Sequence, residues 1–261
     1  MAYYLSVINM RIFTFKKSFL ISLMCFFLLF AVVGVYTFNG IYSAAMSYGK
    51  DLPVYSVETN EKKLCITFDA AWDEDNTDEL LAVLKKYGAK ATFFAVGTWA
   101  QKYPESVKKI AEASHCVGSH SYNHTLYTKL NKNEIMDDIA ACNEELAAIT
   151  KKNPSLVRVP SGDYDSRVIK TVYSLGLYPI QWDVDSLDYT GLSKEQIVNR
   201  VLPNVKNGSI ILFHTSVKNT VTALDEILSV LQKDGWRFVT VEELILKDNF
   251  TFDHEGRQIK A

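Results

Sequence analysis

Three of the five histidines in this 261-residue chain fall in two short segments, Ser119-His120-Ser121-Tyr122-Asn123-His124 and Leu212-Phe213-His214, each placed where a β-strand should end. Two imidazoles four residues apart can face one cation, whether their loop is irregular or a single helical turn. Asp69 closes a run with Ile66, Thr67 and Phe68, Arg158 follows Leu156 and Val157, and an acidic cluster from Asp183 to Asp188 follows another apolar run. A cation site, a carboxylate base and a histidine acid are together the parts of a metal-assisted hydrolysis.

Asp69 is followed by Ala70 and Ala71, which neither ionise nor ligate, so this strand end supplies one carboxylate. Facing the histidine pair, it suits a base that deprotonates a metal-bound water; the plainer role is a helix cap. Arg158 would be costly to enclose without a carboxylate, and Asp69 is its natural partner, with a rim arginine that binds substrate as the alternative. His214 ends Ile210-Ile211-Leu212-Phe213 and needs an aspartate to keep the orientation and charge that protonate a leaving amine. Asp185 is the expected partner. Trp72, Trp99, Trp182, Tyr164 and Tyr189 lie near these loops, where aromatic faces line sugar grooves as readily as they fill cores.

Short apolar runs alternating with amphipathic stretches are what position such a set, because they predict a mostly parallel sheet covered by helices. Strands are expected at 64–68, 91–96, 116–119, 156–159, 178–182, 209–213 and 236–239. Asn131 with Glu134 and Ser193 with Gln196 have capping-box spacing, Pro104 suits a first helical turn, and Gly88, Gly176 and Gly235 suit helix ends. Ile135, Ile139, Cys142, Leu146 and Ile149 recur at three- and four-residue steps, so their helix should bury one face. In parallel α/β folds the loops after the strand C-termini converge on one face, which brings Asp69, His120, Arg158, Asp185 and His214 together.

Residues 18–36 form an uncharged apolar run preceded by Arg11, Lys16 and Lys17, long enough to span a bilayer with its basic flank on the cytoplasmic side. The expected layout is a cytoplasmic segment at 1–17, a transmembrane anchor at 18–38, a linker at 39–60, a catalytic domain at 61–247 outside the membrane and a polar, frayed tail at 248–261. Cleavage near Ser43-Ala44-Ala45 would instead secrete the domain, although the run exceeds the roughly 7–15 residues of a signal core. Three of the 28 lysines and arginines lie in the first 17 residues, leaving 25 against 30 acids beyond them. That balance argues against nucleic acid as a partner. Cys65, Cys116 and Cys142 read as structural thiols rather than a disulfide framework.

With these motifs in this order, residues 63–246 resemble the polysaccharide deacetylase family, also called carbohydrate esterase family 4 or the NodB homology domain. The resemblance implies a distorted (β/α)7 TIM-like barrel, here preceded by one transmembrane helix, and removal of N-acetyl groups from amino sugars with a divalent metal, usually Zn2+. By match, Asp69 would be the catalytic base, His120 and His124 the metal ligands, Arg158 the partner of the base, His214 the acid and Asp185 its partner. The amide of Ser161 would help hold the oxyanion, with Trp72 and Tyr164 near substrate. The opening Thr67-Phe68-Asp69-Ala70-Ala71-Trp72 is similar to that of sporulation-associated members of spore-forming Gram-positive bacteria, which implies peptidoglycan or spore cortex as the glycan.

Three positions depart from the family pattern: Ala70 replaces a metal-binding aspartate, Ser161 a tyrosine, and Tyr189 a tryptophan. Asp73, Asp75 or water would then complete the metal shell. Ala70 also motivates a rival, a glycan-binding or morphogenetic protein that has lost catalysis; a third reading, deacylation of a small extracytoplasmic amide, follows from a sequence that shows no long groove.

Overall fold

The computed structural model of the protein describes Phe26, residues 52–71 and residues 76–261. Apart from Phe26, the anchor expected at 18–38 lies outside the described residues, as do Trp72, Asp73 and Asp75. Among the described residues no helix is long and apolar enough to cross a membrane. The chain divides into two units, Met1–Tyr48 and Gly49–Ala261, and the second carries the sheet and its helices.

In chain order the elements are β1 (Ser56–Val57), β2 (Lys63–Ala70), α1 (Thr77–Lys86), β3 (Ala91–Ala95), α2 (Gly97–Lys102), α3 (Pro104–Glu112), β4 (Cys116–Ser119), α4 (Lys132–Thr150), β5 (Leu156–Val157), α5 (Ser166–Ser174), β6 (Tyr178–Pro179), β7 (Val184–Asp185), α6 (Lys194–Val201), β8 (Ile210–His214), α7 (Thr220–Lys233), β9 (Arg237–Phe238), α8 (Val241–Leu244), β10 (Phe250–Phe252) and β11 (Arg257–Lys260). The seven expected strands are β2, β3, β4, β5, β6, β8 and β9. Asn131 and Ser193 both close capping boxes, and Pro104 opens its helix. Ile135, Ile139, Cys142 and Leu146 are buried along one face of α4. Gly88, Gly176 and Gly235 take positive φ where helices end, the conformation that costs glycine least.

The main sheet runs β6-β5-β4-β3-β2-β8-β7, with β9 added beside β2, and every pairing in it is parallel. β2 lies near its centre and is buried from Leu64 to Ala70, which is why that run is apolar on both faces. The sheet is a curled half-barrel. The expected seven-stranded closure fails between β6 and β7, which end the strand order and do not pair with each other among the described residues. Only residues 180–183 separate them, whereas parallel neighbours need a crossover of about a dozen residues or more.

A segment read from sequence as linker occupies that opening. Val54 bridges in parallel to Ile180, its N–H donating to the Pro179 carbonyl at 2.8 Å, and Ser56 bridges antiparallel to Ser209. The tail expected to fray is also folded. β10 and β11 form an antiparallel pair, β11 runs parallel to β1, and Phe250 and Gln258 are buried. These strands are only three and four residues long, so length does not announce them; their stability comes from the pairing of β11 with β1 and β10 and from the Gln258 side chain, which hydrogen-bonds both the N–H and the carbonyl of Leu246.

Cys65 and Cys142 are buried and Cys116 is half-buried, all three as free thiols. Trp99 is buried in the core cluster around β2, so it is not a groove residue.

Candidate active site

Strand register does most of the assembly. Asp69 on β2 lies opposite His214 on β8, and Ser119 on β4 lies opposite Val157 on β5, so His120 and Arg158 leave their strands side by side. Asp69, His120, His124, Ser161, Asp185 and His214 all line one cavity of ≈ 440 Å³ at the strand C-terminal ends. A larger cavity, ≈ 800 Å³, includes His115 and Cys116 at the start of β4 and gathers none of these residues. Among the described residues, five non-glycine residues in loops after the strand ends hold positive φ: Ser121, His124, Ser161, Leu187 and Ser216. Strained backbone of this kind concentrates at functional sites, where surrounding contacts hold it in place.

Arg158 is fully buried. Its Nη1 donates to Asp69 Oδ1 and to Thr67 Oγ1, both at 2.8 Å, and its Nη2 donates to the Gln181 carbonyl at 2.9 Å. The guanidinium also stacks 4.1 Å from the Phe94 ring centroid, and burial lowers its pKa. Burial alone would raise the Asp69 pKa, but His120, Arg158 and His214 outweigh it and leave the carboxyl below its ordinary value. The expected Asp69–Arg158 pair is therefore present, and Thr67, which the sequence reading passed over, braces it.

His120 is fixed by the backbone of the same arginine. Its Nδ1 lies 2.8 Å from the Arg158 carbonyl, and since a carbonyl can only accept, Nδ1 carries the proton. Burial pulls the His120 pKa down to about 4, so the ring is neutral at ordinary pH and Nε2 presents a lone pair. That Nε2 sits 3.4 Å from Asp69 Oδ2, two electron-rich atoms facing each other. The His124 ring stands edge-on to His120 with centroids 5.0 Å apart, and burial lowers its pKa too. Neutral imidazoles beside a carboxylate suit a divalent cation. Among the described residues no group of three or more His, Cys, Asp or Glu is arranged to hold one. Ala70 is buried in the apolar core and offers no further ligand.

The loop carrying these histidines hangs on Asp138 of α4, another residue the sequence reading did not single out. Its carboxylate accepts from Ser121 Oγ at 3.1 Å, the Tyr122 N–H at 3.0 Å and the Tyr127 hydroxyl at 2.7 Å.

The acidic cluster divides its labour differently from expectation. Asp188, not Asp185, partners His214: Oδ1 is 2.8 Å from Nδ1, and Oδ2 accepts from the His214 N–H at 2.9 Å and from Thr220 Oγ1 at 2.6 Å. Asp185 Oδ1 instead caps its own turn by accepting from the Leu187 N–H at 2.8 Å, while its charge still faces the cavity. Asp183 accepts from Ser209 Oγ and the Ile210 N–H, a latch between β7 and β8. The short β7 followed by a left-handed Leu187 rotates Asp188 under the histidine, a turn that no sequence spacing reveals. Burial opposes a charged His214, but the Asp188 hydrogen bond and the Asp69, Asp188 and Asp185 charges raise its pKa above the ordinary histidine value.

Of the aromatic candidates, Trp182 and Tyr189 line the cavity, and the exposed Tyr189 ring stands edge-on to His214 at 4.9 Å. Tyr164 does not line it; its hydroxyl is bonded to that of Tyr55 at 2.8 Å. Trp72 lies outside the described residues.

The chain is similar to proteins of known family and fold. The family model for polysaccharide deacetylase matches residues 56–180. A peptidoglycan-N-acetylglucosamine deacetylase of Bacillus cereus is 36% identical over 196 residues, covering 73% of this chain and 92% of its own. The peptidoglycan-N-acetylmuramic acid deacetylase PdaA of Bacillus subtilis is 29% identical, covering 74% of this chain and 75% of its own. The solved structure of BA3943, a CE4 family pseudoenzyme from Bacillus anthracis, aligns with a TM-score of 0.71 at 28% identity, over 79% of this chain and 70% of that one.

Proposed function

Because the chain belongs to the polysaccharide deacetylase family, we propose that it hydrolyses the acetamide of N-acetylated amino sugars in peptidoglycan, with Asp69 as base and His214 as acid. It is a hydrolase of amide bonds in polysaccharide by family. The observation that carries the proposed roles is that Asp69, braced by Arg158, and His214, clamped by Asp188, face one cavity from adjacent strands.

Asp69 takes a proton from the attacking water as its oxygen bonds to the carbonyl carbon. His214 gives its Nε2 proton to the amide nitrogen as the C–N bond breaks, so acetate and a free amine leave. Arg158 keeps Asp69 ionised and aimed, and the Ser161 amide, on its left-handed turn beside the cavity, is the proposed donor to the oxyanion. His120 and His124 would hold a divalent cation, zinc in our reading, which when bound polarises the carbonyl and activates water. With Ala70 contributing no ligand, loss of ~3 kcal/mol of transition-state stabilisation would slow turnover by roughly two orders of magnitude. We place the unit outside the cell membrane, with residues 18–38 as its anchor, on the apolar run and its basic flank.

A second reading has two observations in its favour: the described residues gather no three-ligand metal group around Ala70, and a structurally similar protein is a pseudoenzyme. On that reading the fold binds glycan without cleaving it. Acetate release from purified peptidoglycan and from N-acetylated chito-oligosaccharides, with and without zinc, separates the two. Metal-dependent release that disappears in His120→Ala supports the deacetylase; no release by the folded protein with any divalent metal supports the binding protein.

A further inference from the structure

We propose that Gln181 is a positioning residue that fixes the turn carrying the Ser161 amide against the Arg158–Asp69 pair. The proposal rests on the deacetylase reading and adds to it a residue that does not itself line the cavity. Gln181 is buried in the four-residue link between β6 and β7. Its carbonyl accepts from Arg158 Nη2 at 2.9 Å, and its side-chain Nε2 donates to the Gly162 carbonyl at 3.2 Å. One residue thus holds both the guanidinium that aims the base and the turn that offers the oxyanion donor. Its own N–H donates to the Val54 carbonyl at 2.8 Å, which ties it to the segment filling the opening of the half-barrel. Gln181 and Val54 both lie outside the family-matched residues 56–180.

The turn needs such an anchor. Ser161 and Gly162 are consecutive left-handed residues, with φ of 57° and 64°, and a left-handed serine persists only where surrounding contacts hold it. A Cβ on Gly162 would lie 3.0 Å from Gln181 Nε2 and 3.2 Å from Trp182 Cη2, so the turn is seated directly on residues 181 and 182. Packing alone does not account for a glutamine here. Its buried Oε1 has no hydrogen-bond partner among the described residues, a cost that an apolar side chain of the same length avoids. What the carboxamide adds is the donor to Gly162. Pinning that carbonyl restrains the left-handed pair, and with it the direction of the Ser161 N–H, which must be set before the oxyanion forms.

The test compares the full chain with Gln181→Met, which keeps the length and loses the donor, and with Gln181→Asn, whose carboxamide is one methylene too short. Acetate release from an N-acetylated chito-oligosaccharide, melting curves and amide hydrogen exchange across residues 161–163 are measured in all three. Both variants should lose kcat by about tenfold to a hundredfold with KM within about twofold, because the turn acts on the oxyanion and not on the bound sugar. The acid limb of the pH profile, set by Asp69, should stay in place, since the main-chain bond to Arg158 remains. Exchange of the Gly162 and Asp163 amides, which donate to the Val159 and Pro160 carbonyls, should accelerate about tenfold. Parental kcat or parental exchange in a folded variant overturns the proposal, and so does a displaced acid limb. Failure of both variants to fold also overturns it, by making Gln181 a structural residue. If the parent releases no acetate, exchange alone decides: acceleration keeps Gln181 as the anchor of the turn, and only the deacetylase reading falls.

Discussion

Asp188 grips His214 at two points, accepting from its imidazole Nδ1 at 2.8 Å and from its backbone N–H at 2.9 Å. One fully buried carboxylate thus fixes both the position of the strand end and the tautomer of the ring, and the second ring nitrogen is left to exchange protons in the cavity.

Removing that carboxylate's charge should therefore disable the acid. Asp188→Asn is expected to lower kcat by about 10²–10⁴-fold, and Asp185→Asn by less than about tenfold, since Asp185 acts on His214 only through space. Steady-state kinetics on an N-acetylated oligomer check both; equal losses would return Asp185 to the role expected from sequence.

The raised His214 pKa sets the alkaline limb of the pH profile. The acid must be protonated, so activity is kept below that pKa and lost as pH rises through it, above the ordinary value of 6.5. The same group contributes folding stability that is fully present below the unfolded-state pKa and disappears as pH rises through the folded one. In Asp188→Asn the limb should move to lower pH, and a profile of kcat/KM against pH reads the displacement; an unmoved limb would assign it to another group.

Asp138 should matter to metal binding more than to the acid. Asp138→Ala strips three hydrogen bonds from the loop carrying His120 and His124 and is expected to cost about 2–4 kcal/mol of stability. Zinc affinity, followed by competition with a chromophoric chelator, should fall, and Asp138→Asn should recover part of it. A variant with parental zinc affinity would reduce Asp138 to a structural residue.

Zinc itself should stabilise the fold through the two histidines. A rise in melting temperature with added zinc is expected in the parent and absent in His120→Ala, because a ligand that binds only the native state adds to its stability by mass action. The same rise in both proteins would move the metal elsewhere.

Deleting residues 248–261 removes β10 and β11 and leaves β1, beside the opening between β6 and β7, without its strand partner. The melting temperature should fall by several degrees, as a loss of about 1–2 kcal/mol gives in a unit of this size. An unchanged melting curve would restore the tail to the frayed segment that its composition suggests.

Much of this was written in the residue order. Apolar runs of four to eight residues fixed seven strands, capping chemistry fixed the starts of α4 and α6, and the appearance of Asp69, His120, Arg158 and His214 at strand ends fixed which face carries the site. These signals are local: they depend on burial of a run, on a hydrogen bond three residues away, or on a chain that must turn where a strand stops. The Asp69–Arg158 pairing was legible for a related reason, since a guanidinium enclosed by apolar neighbours requires a carboxylate.

Tertiary structure alone decided the rest. Three aspartates within six residues are equivalent as sequence, and only the left-handed turn at Leu187 sends Asp188 rather than Asp185 beneath His214. β1, β7, β10 and β11 lie in stretches with no apolar run of strand length to announce them, and they exist because distant partners satisfy their backbone groups. Closure of the sheet was likewise settled in three dimensions, by the four residues between β6 and β7 that are too few for a parallel crossover and leave an opening for residues 54–57 to fill.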